Sequence, residues 1–471
     1  MTVPQNTRSP RGTAVVIGGS IAGCTTAASL VELYERVVII DRDELPATRK
    51  ERKGVPHAYQ FHALTALGRQ ALEEALPGLT QTALDGGVPG HDPGETRYSS
   101  KSGFFQLVKT GLLVLLSSRI NLEYLVREQA RTVPALEMIE RTKVTGLQID
   151  QGAVTGVHVL DGDAQARTIA ADLVVDASGR TSATPQWLEA AGYPRPIEQV
   201  VNAKWGYVTS YVRPDPEFSP PYNVLYITPT LKGEGPRATR GAGMWKQEDG
   251  LWVLTAQGCA GDLPPADEAG FRDFLGSFGR TEFVDLLDRS HLERPRVAWR
   301  NTTNVLRDYA GISSRPERFV VLGDAAAAFN PYYGQGMSSA ALGARLLRDL
   351  LREWFTSIGE DLTGFGERFQ KQLDGLVIQN CWGISAGSDL GVPGVEINGV
   401  PQSVEKSDEQ QFVDRVLALA TEEPEVARKV VEMIQMIRGP EWMAEEDLRA
   451  NVIANWERLG ELSRDDQAAV L

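Results

Sequence analysis

The sequence predicts an α/β fold: a domain built on a parallel sheet, with an inserted antiparallel sheet and a helical C-terminal region. Three observations lead to this prediction. An apolar, β-branched run at residues 14–17 enters a glycine turn and then a helix of small residues, which is typical of a parallel sheet with crossover helices. Residues 200–300 contain strand signals joined by Pro- and Gly-rich connections. Residues 403–471 are charged, with apolar positions at helical spacing.

The composition is that of an ordinary globular protein. Of the 471 residues, 42% are hydrophobic and 23% are charged. The 48 basic and 62 acidic residues give a formal net charge of −14, which argues against a nucleic-acid partner because phosphate backbones bind basic surfaces. Cys24, Cys259 and Cys381 lie far apart and form no CxxC pair, so we expect no disulfide, no bound metal and a reducing compartment.

No segment has the features of a leader or a membrane anchor. The first ten residues, MTVPQNTRSP, lack the apolar core of a signal peptide. The apolar run GLLVLLSS at 111–118 is much shorter than the roughly 20 residues that cross a membrane. We therefore expect a cytoplasmic protein without a membrane span.

Strands and helices alternate along the first part of the chain, as a parallel sheet requires. In order, the predicted elements are buried strands at 14–17 and 37–40 around a helix from about Ile21 to Tyr34, amphipathic helices at 61–76 and about 117–131, and a meander of three short strands from 142 to 176.

The last part of the chain resumes this pattern and then becomes helical. A buried strand is predicted at 319–323, followed by a long helix from about Gly336 to Phe355. In the tail, four apolar residues recur at helical spacing before the stop signal Gly439–Pro440, and we expect them to face the core. They are Val426, Val430, Ile434 and Ile437.

The glycine turn in AVVIGGSIAGC, residues 14–24, admits two interpretations. It fits a cradle for a dinucleotide pyrophosphate, with Gly18 at the turn, Gly23 at the helix–strand contact and Ser20 in place of the usual second glycine. It also fits a hydrolase elbow that presents Ser20 as a nucleophile. Asp41 follows the second strand about 20 residues after Gly18, where an acid binds the ribose of an adenine dinucleotide. This acid favours the cradle.

A second glycine turn lies in VVLGDAAAAFNPYYGQGMSS. A strand ends in Gly323–Asp324, and residues 330–337 then form a glycine-rich turn that opens a helix. An Asp at a strand end accepts hydrogen bonds from sugar or ribitol hydroxyls, and a helix N-terminus stabilises negative charge on a ring system. A Gly-Asp pair after a strand is also common in simple turns.

A third segment, DASGRTS at 176–182, follows the strand ADLVV. From its residues alone it fits a strand-to-helix connection, with Ser182 or Thr184 as the N-cap.

The first glycine turn with Asp41, then DASGRTS, then the second glycine turn occur together in this chain order in one family. The chain resembles the FAD-dependent monooxygenases of the p-hydroxybenzoate hydroxylase fold over about residues 12–390. RKERKGVPH at 49–57, the FHAL helix start and GDAAAAFNPYYGQGMS are most similar to a bacterial branch that includes polyene epoxidases and other tailoring oxygenases. We therefore predict a discontinuous Rossmann-like FAD-binding domain, a substrate-binding antiparallel domain and a C-terminal helical region. Their bounds are 1–185 with 300–390, 186–299, and 391–471.

The resemblance implies a set of FAD contacts. The first glycine turn would hold the pyrophosphate, Asp41 the adenosine ribose and Asp324 the ribitol. The turn from Pro331 to Met337 would abut the flavin ring. Asp176 and Arg180 would belong to a segment that serves both FAD and NAD(P)H, although this sequence lacks the Asp-Gly dipeptide of the aromatic hydroxylases there. The predicted cofactor-binding residues are Gly18, Ser20, Ile21, Ala22, Gly23, Asp41, Arg42, Arg52, Arg119, Val144, Asp176, Gly323, Asp324, Pro331, Gly334, Gly336 and Met337.

The resemblance also implies a reaction. NAD(P)H would reduce FAD, and a flavin C4a-hydroperoxide would insert one oxygen atom into a hydrophobic, polyketide-like intermediate by epoxidation or hydroxylation. No side-chain nucleophile is required, and a flavin reductase is a candidate partner.

Three alternatives stay open at this point. Some proteins of this fold keep FAD as a structural element and act as non-redox pericyclases of polyketide biosynthesis. A flavin-dependent halogenase resembles the same branch, but this sequence lacks a WxWxIP stretch. The third alternative is a flavoprotein that only binds its ligand.

Overall fold

A five-stranded parallel sheet forms the centre of the protein, in a computed structural model that describes residues 11–231, 235–400 and 408–462. Its middle strand is the first strand of the chain, and this strand is buried on both sides by its neighbours. This arrangement confirms the predicted Rossmann-like α/β fold. Across the sheet, the strands are Phe319–Val321, Leu173–Asp176, Arg11–Ile17, Tyr34–Ile40 and Leu136–Ile139.

The helix after the first strand packs between two other helices, Arg119–Arg131 and Gly336–Ser357. No helix in the described part of the chain is both long enough and apolar enough to cross a bilayer. The described helices are Ile21–Leu30, Ala66–Ala75, Leu79–Asp85, Arg119–Arg131, Thr184–Ala190, Pro236–Thr239, Glu268–Gly276, Glu282–Asp288, Gly336–Ser357, Phe365–Leu373, Gln379–Asp389, Asp408–Leu419, Pro424–Ile434, Glu446–Ala454 and Trp456–Leu462.

A second, mostly antiparallel sheet of eight strands, which we call the insert sheet, confirms the predicted insertion. Two of its strands come from earlier in the chain than the predicted insert. One face of the sheet packs its apolar side chains against the helices Glu268–Gly276 and Glu282–Asp288. Its strands are Ser290–Leu292, Val297–Trp299, Gly206–Pro214, Trp252–Gly258, Arg240–Lys246, Val224–Ile227, Arg97–Ser100 and Gly103–Phe104.

Three smaller sheets complete the described strands. A three-stranded meander packs beside the parallel sheet, and a four-stranded sheet and a two-stranded sheet are separate from it. The meander consists of Lys143–Asp150, Ala153–Leu160 and Ala166–Ala170. The four-stranded sheet consists of Ala327–Ala328, Asn304–Asp308, Ile197–Asn202 and Glu396–Asn398. The two-stranded sheet consists of Gly90–His91 and Val114–Leu115.

The structure corrects two predicted helices. The first ends at Leu30 instead of Tyr34, because Tyr34 already pairs with Arg11 in the parallel sheet. The helix predicted from residue 61 begins only at Ala66, because Thr65 is its N-cap and accepts a hydrogen bond from the Gly68 backbone N–H.

The predicted meander is also partly wrong. Its third strand is Ala166–Ala170, whereas Leu173–Asp176 lies in the parallel sheet between Arg11–Ile17 and Phe319–Val321. The run LVVD is fully buried, as a strand with neighbours on both sides of a parallel sheet must be.

The C-terminal helices form their own apolar core, into which Phe105 inserts. Val426 and Val430 face this core as predicted. Ile434 and Ile437 do not, and each is 37% exposed, because the helix ends at Ile434. The predicted helical tail also covers residues 403–407 and 463–471, which lie outside the described residues.

Candidate active site

The first glycine turn connects the strand Arg11–Ile17 to the helix Ile21–Leu30. Gly18 has φ +104°, which favours glycine, and a Cβ atom on Gly23 would lie 1.7 Å from the Gly18 carbonyl oxygen. In the described structure, the backbone N–H groups of residues 20–23 donate to no protein acceptor. An anion at this helix N-terminus would satisfy them, so the turn fits a pyrophosphate.

Asp41 lies at the carboxyl end of the neighbouring strand and is 6% exposed. Its Oδ2 atom accepts from the Gly19 N–H at 2.6 Å, and its Oδ1 atom accepts from the Asp43 N–H at 2.8 Å. The carboxylate is therefore fixed against the glycine turn, and its Oδ1 atom keeps a lone pair for a further donor. Arg42, the next residue, is exposed.

Arg52 lies beside this acid within a group of three carboxylates. Its guanidinium donates to Glu123 at 2.7 Å, to Asp43 at 2.9 Å and to Asp41 at 3.4 Å. Although burial alone would lower the pKa of Arg52, Glu123 and Asp41 raise it above its ordinary value. The structure thus brings Arg52 to the glycine turn, and its contact with a cofactor phosphate stays a prediction.

Arg119 reaches the glycine turn from the first residue of the helix Arg119–Arg131. Its Nη2 atom donates to the Ser20 Oγ atom at 2.8 Å, and its Nε atom lies 3.3 Å from Glu123. Glu123 is one turn further along the same helix, so one carboxylate orients both Arg52 and Arg119.

The second glycine turn lies next to the first. Gly323 has φ +61°, and a Cβ atom there would lie 3.4 Å from the Ala22 side chain. The Asp324 carboxylate accepts no hydrogen bond from the described residues, and burial raises its pKa, while Arg180 acts to lower it. Asp324 therefore offers a free acceptor beside the glycine turn, which fits a ribitol hydroxyl.

The turn formed by residues 331–337 opens the helix Gly336–Ser357. Asn330 is the N-cap of the short 3₁₀ helix Pro331–Tyr333 within this turn, since its Oδ1 atom accepts from the Tyr332 N–H at 3.1 Å. Gly334 has φ +67°. Backbone N–H groups at residues 335–338 have no protein acceptor in the described structure, so this helix N-terminus can also stabilise negative charge.

A buried carboxylate that the sequence did not predict holds this turn to the insert sheet. Asp389 is 1% exposed and accepts four hydrogen bonds, from Trp205 at 2.8 Å, Tyr333 at 2.9 Å, Asn304 at 2.7 Å and Asn330 at 2.9 Å. Burial raises the pKa of Asp389, and the four donors oppose that shift. Asp389 lies 56 residues or more in sequence from each of these four partners, so no local pattern reveals it.

Asp176 is held within its own segment. Its Oδ1 atom accepts from the Ser178 N–H at 2.9 Å, and its Oδ2 atom accepts from Ser182 and from Thr184 at 2.6 Å. These contacts are those of a strand-to-helix connection, as the residues alone predicted. The N-cap residue is Ala183, however, and not Ser182 or Thr184. A contact of Asp176 with a cofactor stays a prediction.

The resemblance also assigns Val144 and Arg180 to the FAD-binding region. Val144 is buried at a β-bulge, two residues after Thr142, whose N–H donates to the Asp41 carbonyl at 2.9 Å. Arg180 donates to the carbonyls of Thr303 and Phe329. Val144 is thus close to the acid predicted to bind ribose, and its contact with adenine stays a prediction.

Two histidines lie between the glycine turns and the insert sheet. The rings of His57 and His62 are 5.3 Å apart, and His57 is 5.5 Å from Trp299. His62 Nδ1 lies 2.8 Å from the Gln60 carbonyl and therefore carries the proton. Burial lowers the pKa of His57 to about 3 and that of His62 well below its ordinary value. Both are neutral near pH 7, as expected for packing residues.

A small cavity lies between the turn at 331–337 and the insert sheet. None of its lining residues is charged, and half of them are aromatic. Burial raises the pKa values of the three tyrosines, so their phenols stay neutral. The lining residues are Gln60, Phe61, Tyr207, Tyr226, Thr255, Gln257, Pro331 and Tyr332.

Sequence reasoning missed most of this cavity. Large aromatic residues in a sheet are generally part of the core, as is Trp252, which is buried against the helices Glu268–Gly276 and Glu282–Asp288. Trp205, however, stacks on Tyr332 with ring centroids 3.9 Å apart, next to the cavity. Tyr207 and Tyr226 line the cavity directly, and the alternation of residues along their strands is the only local signal for them.

The matching family description is "FAD binding domain", and it covers residues 11–357. Protein Rv3254 of Mycobacterium tuberculosis is 32% identical over 366 residues, covering 75% of this chain and 76% of that protein. Kynurenine 3-monooxygenase of Anopheles gambiae is 25% identical over 372 residues, covering 75% of this chain and 70% of that protein.

Solved structures share the fold at lower identity. p-Nitrophenol 4-monooxygenase from Pseudomonas putida has a TM-score of 0.61 and 17% identity, covering 92% of this chain and 99% of its own. The flavin-dependent brominase Bmp2 has a TM-score of 0.63 at 12% identity, covering 94% and 98%. The Diels-Alderase PyrE3 has a TM-score of 0.57 and 16% identity, covering 91% of this chain and 81% of its own. The family match spans both glycine turns, and the chain therefore belongs to the FAD binding domain family and is an FAD-dependent oxidoreductase of the monooxygenase type.

Proposed function

We propose that this protein inserts one oxygen atom into a neutral, hydrophobic, polyketide-like substrate, by epoxidation or hydroxylation, with NAD(P)H as the electron donor. The cavity between the turn at 331–337 and the insert sheet carries this proposal. It has no charged lining residue, and aromatic rings form half of its wall. Such a wall favours a planar, uncharged molecule, because a buried charge without a partner costs free energy.

The residues of the two glycine turns support FAD as the bound cofactor. When bound, FAD supplies electron transfer and the activation of molecular oxygen. The free N–H groups at residues 20–23 would bind the pyrophosphate, Asp41 the ribose and Asp324 the ribitol. The N–H groups at 335–338 would stabilise negative charge next to the cavity. The proposed FAD-binding set is the one predicted from the sequence, with Arg52 and Arg119 held in place by Glu123.

The chain's own part in the chemistry is to orient the substrate and exclude water. Buried tyrosines line the cavity, and the rings of Tyr226 and Phe61 stack with their centroids 5.8 Å apart. Asp389 holds Trp205 and Tyr333, and so fixes the turn that forms the other wall. A rigid site walled by aromatic rings serves to exclude water from the reacting atoms.

A second candidate is a non-redox cyclase that keeps FAD as a structural element. The contacts of DASGRTS favour it, since the Asp176 oxygens and the Arg180 guanidinium are engaged within the protein. They leave this segment few free groups to receive a nicotinamide. The fold shared with a Diels-Alderase is compatible with this candidate.

Isotope labelling separates these candidates. FAD-loaded protein is incubated with NADPH, ¹⁸O₂ and a panel of neutral polyenes and polycyclic ketones, and products are weighed by mass spectrometry. We expect a product that has gained one ¹⁸O atom, together with NADPH consumption. An isomer of unchanged mass formed without NADPH would identify the cyclase, and a product formed only with added halide would identify a halogenase. Oxygenation only after adding a flavin reductase would place electron supply in a partner.

A further inference from the structure

We propose that Gln257 forms a hydrogen-bonding subsite for a carbonyl oxygen of the substrate, an inference that rests on the proposed function. Gln257 lines the cavity and is 2% exposed. In the described structure its Nε2 atom has no hydrogen-bond partner. A buried N–H donor without an acceptor is costly, and in a cavity the missing acceptor is supplied by a ligand.

The insert sheet builds a flat floor around this amide. Gln257 pairs with Tyr207 on one side and Gly241 on the other, and two residues along the strand Thr255 pairs with Gly243. Directly paired residues point to the same face of a sheet, so both glycines lie on the cavity face. They place no side chain there, and the Tyr226 ring over Gly243 and Pro229 over Gly241 enclose the Gln257 amide on this face.

Neighbouring groups set the direction of the amide. The Tyr226 hydroxyl donates to the Gln257 Oε1 atom at 3.2 Å, so the Nε2 donor is the free end. A Cβ atom on Gly241 would lie only 3.3 Å from Nε2, so glycine at this position keeps the donor uncrowded.

The other glutamine of the cavity, Gln60, is already engaged at both ends. Its Oε1 atom accepts from Thr209 at 2.8 Å, and its Nε2 atom donates to the Val297 carbonyl at 3.1 Å. The Tyr207 hydroxyl likewise donates to Asn330 at 2.8 Å. Among the described lining residues, Gln257 is therefore the one with a buried polar atom that lacks a partner.

The chemistry of the subsite defines its ligand. The amide N–H requires an acceptor, and the absence of a charged lining residue disfavours a carboxylate or phosphate. The Phe61 and Tyr226 rings provide apolar faces for an aromatic or conjugated system. A ketone conjugated to a planar ring system meets all three conditions.

A matched pair of probes tests the subsite without turnover. 2-Acetylnaphthalene and 2-ethylnaphthalene have nearly the same shape and differ in one carbonyl group. Isothermal titration calorimetry measures the Kd of each for the oxidised, FAD-loaded protein. We expect the ketone to bind about tenfold more tightly, the effect of one buried hydrogen bond. In Gln257→Leu the two Kd values should agree within about twofold, with the hydrocarbon bound at least as tightly as before.

A second buried glutamine provides the control. Gln247 is 2% exposed, lies next to the strand Arg240–Lys246 and does not line the cavity. Gln247→Leu should keep the preference for the ketone. Equal affinities in the unsubstituted protein, no binding of either probe, or a preference that persists in Gln257→Leu would overturn the subsite. These outcomes are independent of oxygen insertion, which the isotope experiment tests separately.

Discussion

The region around the two glycine turns, which we propose as the FAD site and call the cleft, and the cavity beside the turn at 331–337 are built in opposite ways. The cleft is rich in charge, with Arg52 and Arg119 paired to buried carboxylates, whereas no charged residue lines the cavity. The cleft depends on two short turns whose backbone N–H groups are free. The cavity depends on side chains from distant strands that strand pairing brings to one face, such as Tyr207 and Gln257. The proposed cofactor site is thus encoded locally, and the proposed substrate site is encoded in the register of the insert sheet.

This difference explains how much the sequence could predict. The glycine turns, Asp41 and the parallel sheet follow from local patterns, because a helix N-terminus after a strand needs glycine at fixed positions. Asp389 and Gln257 do not, since each acts across more than 30 residues of sequence on partners that only the fold brings close. The end of a helix was also mispredicted at Tyr34, a buried residue where sheet pairing overrides helical periodicity.

The largest expected effect comes from the cleft. In Gly23→Ala, the new Cβ atom would lie 1.7 Å from the Gly18 carbonyl oxygen, so the turn must open. We expect FAD affinity to fall at least about 100-fold, because the backbone N–H groups can no longer converge on the pyrophosphate. The ratio of flavin to protein absorbance after purification measures this. Gly383→Ala, a helical glycine with open space around its Cβ position, should keep full FAD content.

A smaller effect is expected at the junction of the two regions. Asp389→Ala removes the acceptor of four buried donors, among them Trp205 and Tyr333. We expect the free energy of unfolding to fall by about 3 kcal/mol, since hydrogen bonds to a charged group are among the stronger ones. Urea unfolding at saturating FAD gives the value. Stability unchanged to within about 0.5 kcal/mol would mean that this carboxylate does not hold the turn to the insert sheet.

Acid should weaken the protein through its neutral histidines. Burial, reinforced by Arg119, lowers the pKa of His57 to about 3, so the unfolded chain binds more protons than the folded one between about pH 6.5 and that value. Stability therefore falls as pH falls through this window, by about 2 kcal/mol from His57 between pH 7 and pH 5. Urea titrations at the two pH values measure the loss. His57→Gln should reduce it, and an equal loss in that variant would contradict the assignment.

The smallest effect is expected at Ser20, where the usual cradle has glycine. The Ser20 Oγ atom accepts from Arg119 at 2.8 Å and makes no capping hydrogen bond to its own helix. Ser20→Gly should change the Kd for FAD by less than about threefold, because the free N–H groups remain. A loss of tenfold or more, measured by fluorescence titration of apoprotein with FAD, would show that the Ser20–Arg119 contact is essential to the cradle.

The most direct test of a redox-active cofactor beside a substrate cavity is the visible spectrum of the FAD-loaded protein. The spectrum is followed without oxygen after adding NADPH and a candidate substrate, and then after admitting air. We predict that the flavin absorption band at about 450 nm bleaches after NADPH is added and returns when air is admitted. A protein that takes up no FAD would contradict the cofactor site. A flavin band that NADPH, NADH and a partner reductase all leave unchanged would contradict oxygen insertion and leave the cyclase.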